Sequence, residues 1–217
     1  MENIYIVMLV VLFGLAITDL VVGVSNDAVN FLNSAIGSKA VSLRTIMIVA
    51  SVGVAVGAIF SSGLMEVARK GIFMPSQFYF DEIMIIFMAV MITDVLLLDF
   101  FNSLGLPTST TVSIVFELLG AAVSIAVIKL YSEGESLALL SEYINTAKAT
   151  EIVLGILLSV VVAFSIGAFV QYVSRLVFTF QYEKKLKYFG AIFGGVSFAA
   201  ITYFIFIKGM KLSLIHI

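Results

Sequence analysis

Apolar residues run along this chain in long blocks rather than in alternation with polar ones. The blocks are Ile4–Val24, Thr45–Met65, Ile83–Leu98, Ile152–Phe169 and Tyr188–Ile207. Most approach the roughly 20 residues that a helix needs to cross about 30 Å of hydrocarbon. Polar residues collect between the blocks. Lys39 and Arg44 precede the second block, and Arg69 and Lys70 follow it. The segment "YSEGESLALLSEYINTAKATE" (Tyr131–Glu151) is mainly acidic, and "QYEKKLK" (Gln181–Lys187) is basic. The pattern predicts an all-α, polytopic membrane protein. Basic loops favour the cytoplasmic side, so Lys184, Lys185 and Lys187 are expected there with Lys39 and Arg44. The acidic segment is expected outside, and a bacterial inner membrane is the expected location.

Two segments depart from the block pattern. The first is "VVGVSNDAVNFLNSAIGSKA" (Val21–Ala40), where amides and a carboxylate follow an apolar span. If the helix continues through it, Asn26, Asn30 and Asn33 fall at i, i+4 and i+7 on one face. Asp19 lies seven residues before Asn26 and joins that stripe, and Asp27 and Ser34 lie beside it. The second is "NSLGLPTSTTVSIVFELLGAAVSIAVIKL" (Asn102–Leu130), in which Pro107 precedes Thr108, Ser109, Thr110 and Thr111. Clustered hydroxyls favour turns and helix starts over helix interiors. The expectation is a short helix, a turn near Pro107–Thr111 and a helix from about Val112, together a re-entrant hairpin. Such a tip is tolerated at membrane depth only against protein or a water-filled cavity. An ordinary surface loop is the alternative.

Composition supports the membrane reading and narrows the chemistry. Of 217 residues, 61% are hydrophobic and 12% charged, against about 25% charged in an average soluble domain. The mean hydropathy is +1.16. The formal net charge is −2 without a basic patch, so no nucleic-acid partner is expected. There is no cysteine, which removes disulfides and thiolate metal sites. "MENIYIVM" lacks the basic start and cleavage site of a signal peptide, so Ile4–Val24 is expected to persist as the first span.

A charged group facing lipid costs roughly 2.5–3.5 kcal/mol even on the more lenient scale. Asn26, Asp27 and Asn30 are therefore expected to face protein or water. A lone Asn would serve as interhelical glue, whereas the three together point to a binding site. Their oxygens suit Na⁺, or a proton on Asp27. Hydroxyls from Ser109, Thr110 and Thr111, with free N–H groups at a helix start, suit an anion, although helix capping alone also accounts for "TSTT". A cation site beside an anion site suggests a coupled symporter, because opposite charges entering together offset each other's desolvation.

These residues also resemble a family. "SNDAVNFLNSAIGSK" (Ser25–Lys39) is similar to the Asn-Asp-x-x-Asn signature of the inorganic phosphate transporter (PiT) family. "LPTSTTVSIV" (Leu106–Val115) is similar to that family's Pro-x-Ser-Thr-Thr signature, and "RKGI" (Arg69–Ile72) also fits. The resemblance implies phosphate uptake coupled to Na⁺ or H⁺ through two inverted repeats, with no organic cofactor. It implies that Asn26, Asp27 and Asn30 line the sodium site. Asp27 and Asn30 would also meet phosphate, with Ser109, Thr110 and Thr111. Val24 and Asn33 stand where the family usually has glycine, Val112 where it often has His, and Val54 where a membrane Glu is common. Glu117 falls in a helix usually made of small residues. Asp27 cannot meet phosphate as a bare carboxylate. It needs Na⁺, a proton, or a protonated phosphate oxygen, which sulfate lacks at neutral pH.

Only one copy of each motif is present, so residues 1–211 are expected to be the N-terminal repeat. The partners expected are inorganic phosphate, the bilayer, the second repeat of the same chain and a second copy in a homodimer. The last six residues, Leu212–Ile217, back-translate as CTG TCT CTT ATA CAC ATC, which resembles a transposase end used in sequencing libraries. They are expected to be a non-native tail, and His216, the one histidine, is not expected to bind metal. A channel or another anion transporter with a re-entrant hairpin is the alternative, though no Thr-Val-Gly-Tyr-Gly filter occurs. An intramembrane enzyme would need a nucleophile–base pair or a metal cluster, and is not expected.

Overall fold

The computed structural model describes residues 2–59, 71–179 and 182–205. Arg69, Lys70, the end of the second apolar block and the tail at 212–217 lie outside the described residues. The described residues are overwhelmingly helical and form no strand. The helices are α1 (Glu2–Ser38), α2 (Leu43–Ile59), α3 (Phe80–Leu104), α4 (Thr110–Glu133), α5 (Thr146–Phe178) and α6 (Tyr182–Tyr203). All but α2 are long and apolar enough to cross a membrane. The protein is thus an all-α, multi-pass membrane protein.

The chain divides into two compact units. One comprises α1, most of α2, α3, α4 and the loops up to residue 149; the other holds α5 from residue 150 onward, together with α6. In α5 and α6 no residue is buried, and side chains such as Leu157, Phe164 and Phe198 are exposed. A helix apolar on every face fits lipid.

The first unit is organised around α1, α3 and α4. Near their starts, the rings of Tyr5 and Phe80 meet edge to face, with centroids 5.5 Å apart. Farther along, the side chains of Asn26 and Asn102 hydrogen-bond, so α1 and α3 run parallel. The buried stripe of α3 is Ile86, Val90, Asp94 and Leu98, spaced by four so that one face is presented. From α4 come Leu118, Ala122, Ala126 and Leu130, whose two alanines let the backbones approach closely.

The end of this unit near residue 79 is closed by polar and aromatic contacts. Lys129 Nζ donates to Glu82 Oε2 at 3.1 Å and to the Gln77 carbonyl at 3.0 Å, and lies 4.1 Å from the centre of the Tyr79 ring. Glu82 also accepts from the Tyr79 N–H at 2.7 Å, satisfying a donor at the start of α3. Phe73, Phe78 and Tyr143 stack edge to face in series. A single antiparallel bridge between Phe73 and Ile144 holds the two loops together.

The turn between α3 and α4 falls where the hydroxyl cluster placed it, but the helix before it is not short. α3 has 25 residues and α4 has 24, about 38 and 36 Å at 1.5 Å per residue. The expectation of a short arm is therefore corrected. The apolar run simply continues helically until Gly105, whose φ of 67° closes the helix in the left-handed conformation. Its N–H and that of Leu106 return to the carbonyls of Asn102 and Phe101, each at 3.0 Å. Only glycine takes this conformation without steric cost.

Candidate functional site

α1 continues unbroken through the Asn-Asp segment to Ser38. Asn and Asp usually weaken helix interiors by hydrogen-bonding nearby backbone, but here the key side chains are engaged elsewhere. Asn26 is 2% exposed. Its Nδ2 donates to Asn102 Oδ1 at 2.8 Å and to the Leu106 carbonyl at 3.3 Å. Its Oδ1 accepts the Thr108 N–H at 2.8 Å. Asn102 in turn donates to the Val22 carbonyl at 3.2 Å. One buried amide thus pins both sides of the α3–α4 turn onto α1.

Asp27 lies one position further round α1 and is half-buried. Its Oδ2 accepts from Thr110 Oγ1 at 3.0 Å. Thr110 opens α4, whose first N–H groups have no partner inside the helix. The carboxylate therefore sits at the positive end of the α4 dipole. Gly23, one turn earlier on α1, is buried where Leu98 and Thr110 come closest.

The other expected site residues do not converge on the same point. Asn30 is exposed and lines an open groove of about 500 Å³ with Val29, Asn33, Ser34 and Pro107. Ser109 caps α4 by position, but its side chain makes no capping bond. Ser109 and Thr111 are both exposed, while Thr110 turns toward α1. The two motifs are joined through Asn26–Thr108 and Asp27–Thr110, while Asn30, Ser109 and Thr111 remain open.

The structure adds a residue that the motif reading passed over. Asp94, in the middle of α3, is 2% exposed. Its Oδ1 and the Oδ1 of Asp19 are both buried and both lack a hydrogen-bond partner. Both carboxyls line a cavity of about 190 Å³ with Leu20, Gly23, Asp27, Leu98 and Thr110. Glu117 of α4 is a fourth acid, and its two buried oxygens also lack partners. Two unit charges 4 Å apart repel by roughly 4 kcal/mol even at an effective dielectric of about 20. A signal was present in the sequence. An ionisable residue inside an apolar block is unusual, and Asp94 precedes Asn102 by eight residues much as Asp19 precedes Asn26 by seven. Among the described residues no group of three or more His, Cys, Asp or Glu is arranged to hold a metal ion.

The fold and this polar seam define a multi-pass membrane protein with acids and amides packed between its helices. The model of the phosphate transporter family matches residues 23–215, and the chain belongs to that family. It is also 27% identical, over 190 residues, to the protein of Thermococcus kodakarensis named "Putative phosphate permease TK2061". That match covers 85% of this chain and 43% of the relative, so the chain spans less than half of the relative's length. No solved structure matches.

Proposed function

We propose that this chain is one half of a carrier that moves inorganic phosphate across the membrane together with Na⁺ or H⁺. The observation that carries the reading is the Asp27–Thr110 hydrogen bond at 3.0 Å, which joins two motifs 83 residues apart in sequence. Family membership and the relative's name supply the substrate class. In this reading Asn26 is chiefly a positioning residue, because its amide is already committed to the turn. Asp27 accepts the coupling cation. Asn30, Ser109, Thr110 and Thr111 present polar groups to phosphate and to the groups that complete the pocket.

The local electrostatics explain why a cation must accompany the anion. The α4 N-terminus would attract phosphate, but the Asp27 carboxylate already occupies that field. Phosphate approaching an ionised Asp27 meets a like charge in a medium of low dielectric. A cation at Asp27 removes that charge and frees the Thr110 hydroxyl and the α4 N–H groups to donate. The exposed half of the site is completed by a second set of such groups, either from a second repeat or from a second copy of this chain.

The test uses the 217-residue chain, and the chain joined to a second repeat, each reconstituted into liposomes. Uptake of radiolabelled phosphate is measured with an inward Na⁺ gradient, an inward proton gradient, or neither. Saturable uptake by the two-repeat form under one gradient is expected, with little or none by the short chain unless it dimerises. Equal uptake with and without both gradients would refute cation coupling.

A further inference from the structure

We infer that Asp19 and Asp94 form a second cation-binding position in the first unit, which takes one monovalent cation between their carboxyls. Three independent observations carry this. The Asn26–Asn102 hydrogen bond holds α1 and α3 side by side, and Asp19 and Asp94 lie about two turns before it on each helix. A carboxylate only accepts hydrogen bonds, so two ionised carboxyls cannot satisfy each other. Asp94 is 2% exposed and its Oδ1 has no partner, which leaves a buried carboxyl oxygen unsatisfied. Both side chains also line the 190 Å³ cavity, so there is a space from which an ion reaches them.

The surroundings favour a bound cation over any internal partner. The other acids acting on Asp94 are Asp27 on α1, which lines the same cavity, and Glu117 on α4. No basic side chain lines the cavity. Lys129, on the same helix as Glu117, is engaged with Glu82 and Gln77, and lies twelve residues further along α4, roughly 18 Å at 1.5 Å per residue. The rest of the buried α3 stripe, Ile86, Val90 and Leu98, is apolar. Buried like charges of this kind persist when a proton or metal ion lies between them. The absence of a metal-holding group of three acids among the described residues argues for a single positive charge over a divalent ion. A shared proton and a bound Na⁺ satisfy the same geometry, and experiment separates them.

The inference rests on the proposed carrier function only for its physiological use; the binding itself involves no phosphate. The 217-residue chain is therefore studied in lipid nanodiscs without phosphate, by thermal unfolding. One arm replaces choline chloride with NaCl at fixed pH, and the other lowers the pH in choline chloride. A cation that binds the folded state raises the unfolding temperature by mass action, by roughly 5 °C at about a hundred times its dissociation constant. A rise with NaCl identifies Na⁺, and a rise only on acidification identifies a shared proton. Asp94→Asn and, separately, Asp19→Asn are expected to abolish the response. Asp99→Asn, an exposed acid on the same helix, is expected to preserve it. If both Asp94→Asn and Asp19→Asn retain the wild-type response, or if the wild type responds in neither arm, the inference fails. Loss of phosphate uptake in the liposome experiment would leave this result untouched.

Discussion

Replacing Asn26 by alanine removes the one side chain that holds both flanks of the α3–α4 turn. Three groups lose their partner: Asn102 Oδ1, the Leu106 carbonyl and the Thr108 N–H. An unsatisfied buried polar group costs about 1–3 kcal/mol. Leu106 is exposed, so its carbonyl turns to water, whereas Asn102 and Thr108 are half-buried. Counting those two near the lower end gives a loss of about 2–4 kcal/mol. The loss is local, because the turn is attached to α1 chiefly through this amide. Hydrogen exchange at the Thr108 amide reads it directly. Protection there should fall at least about 30-fold, the equivalent of 2 kcal/mol, while amides in the middle of α3 change little. Asn30→Ala is the matched control. Asn30 is exposed and makes no hydrogen bond among the described residues, and surface changes of this kind stay within about 0.5 kcal/mol. If the two variants exchange at the same rate at Thr108, the clamp assigned to Asn26 does not exist.

Other outcomes follow from the same geometry. Asp27→Asn in the two-repeat form keeps the shape and the bond to Thr110 but removes the charge, so cation-driven phosphate uptake should vanish while membrane insertion persists; normal uptake would contradict the role given to Asp27. Gly105→Ala places a Cβ at a φ of 67°, which should cost roughly 1–2 kcal/mol and loosen the turn without changing the helices, as read by exchange at Leu106. Cysteines at Ser136 and Lys185 should label from opposite sides of the membrane, because α5 is a single 33-residue span between them; labelling from one side would overturn the orientation read from the basic clusters.

The helical, multi-pass architecture was legible because it is set by element length and composition. A run such as Ile152–Phe169 has few stable states other than a spanning helix. The meeting of the Asn-Asp segment with the hydroxyl turn was also legible in outline, since polar groups inside a membrane protein must find one another. What the pattern did not show was which polar group serves which purpose. Asn26 and Asn30 are four residues apart and look equivalent on a helical wheel. One is buried and spends its amide on the turn, and the other opens onto a groove. The difference is one turn along α1: Asn26 is level with the Thr108 N–H, whereas Asn30 lies beyond it, on the groove beside Pro107.

Asp94 shows a different kind of limit. Within "MITDVLLL" a single acid reads as an interruption of a span, and nothing local names its partner. The partner is set by register. α1 and α3 run parallel and are locked at Asn26–Asn102, seven and eight residues beyond the two acids. Seven or eight residues are about two helical turns, roughly 11 Å, so helices parallel at the amide pair bring Asp19 opposite Asp94. The amide clamp and the acid pair are therefore one geometric fact seen at two levels of the bundle. A change that slides α1 past α3 would disturb both at once. Binding of a cation between the acids and closure of the turn on Asn26 are coupled on this account, because each favours the same register of the same two helices. That coupling gives the α1–α3 seam a physical means of linking cation occupancy to the position of Thr110 and the start of α4, where the anion is proposed to bind.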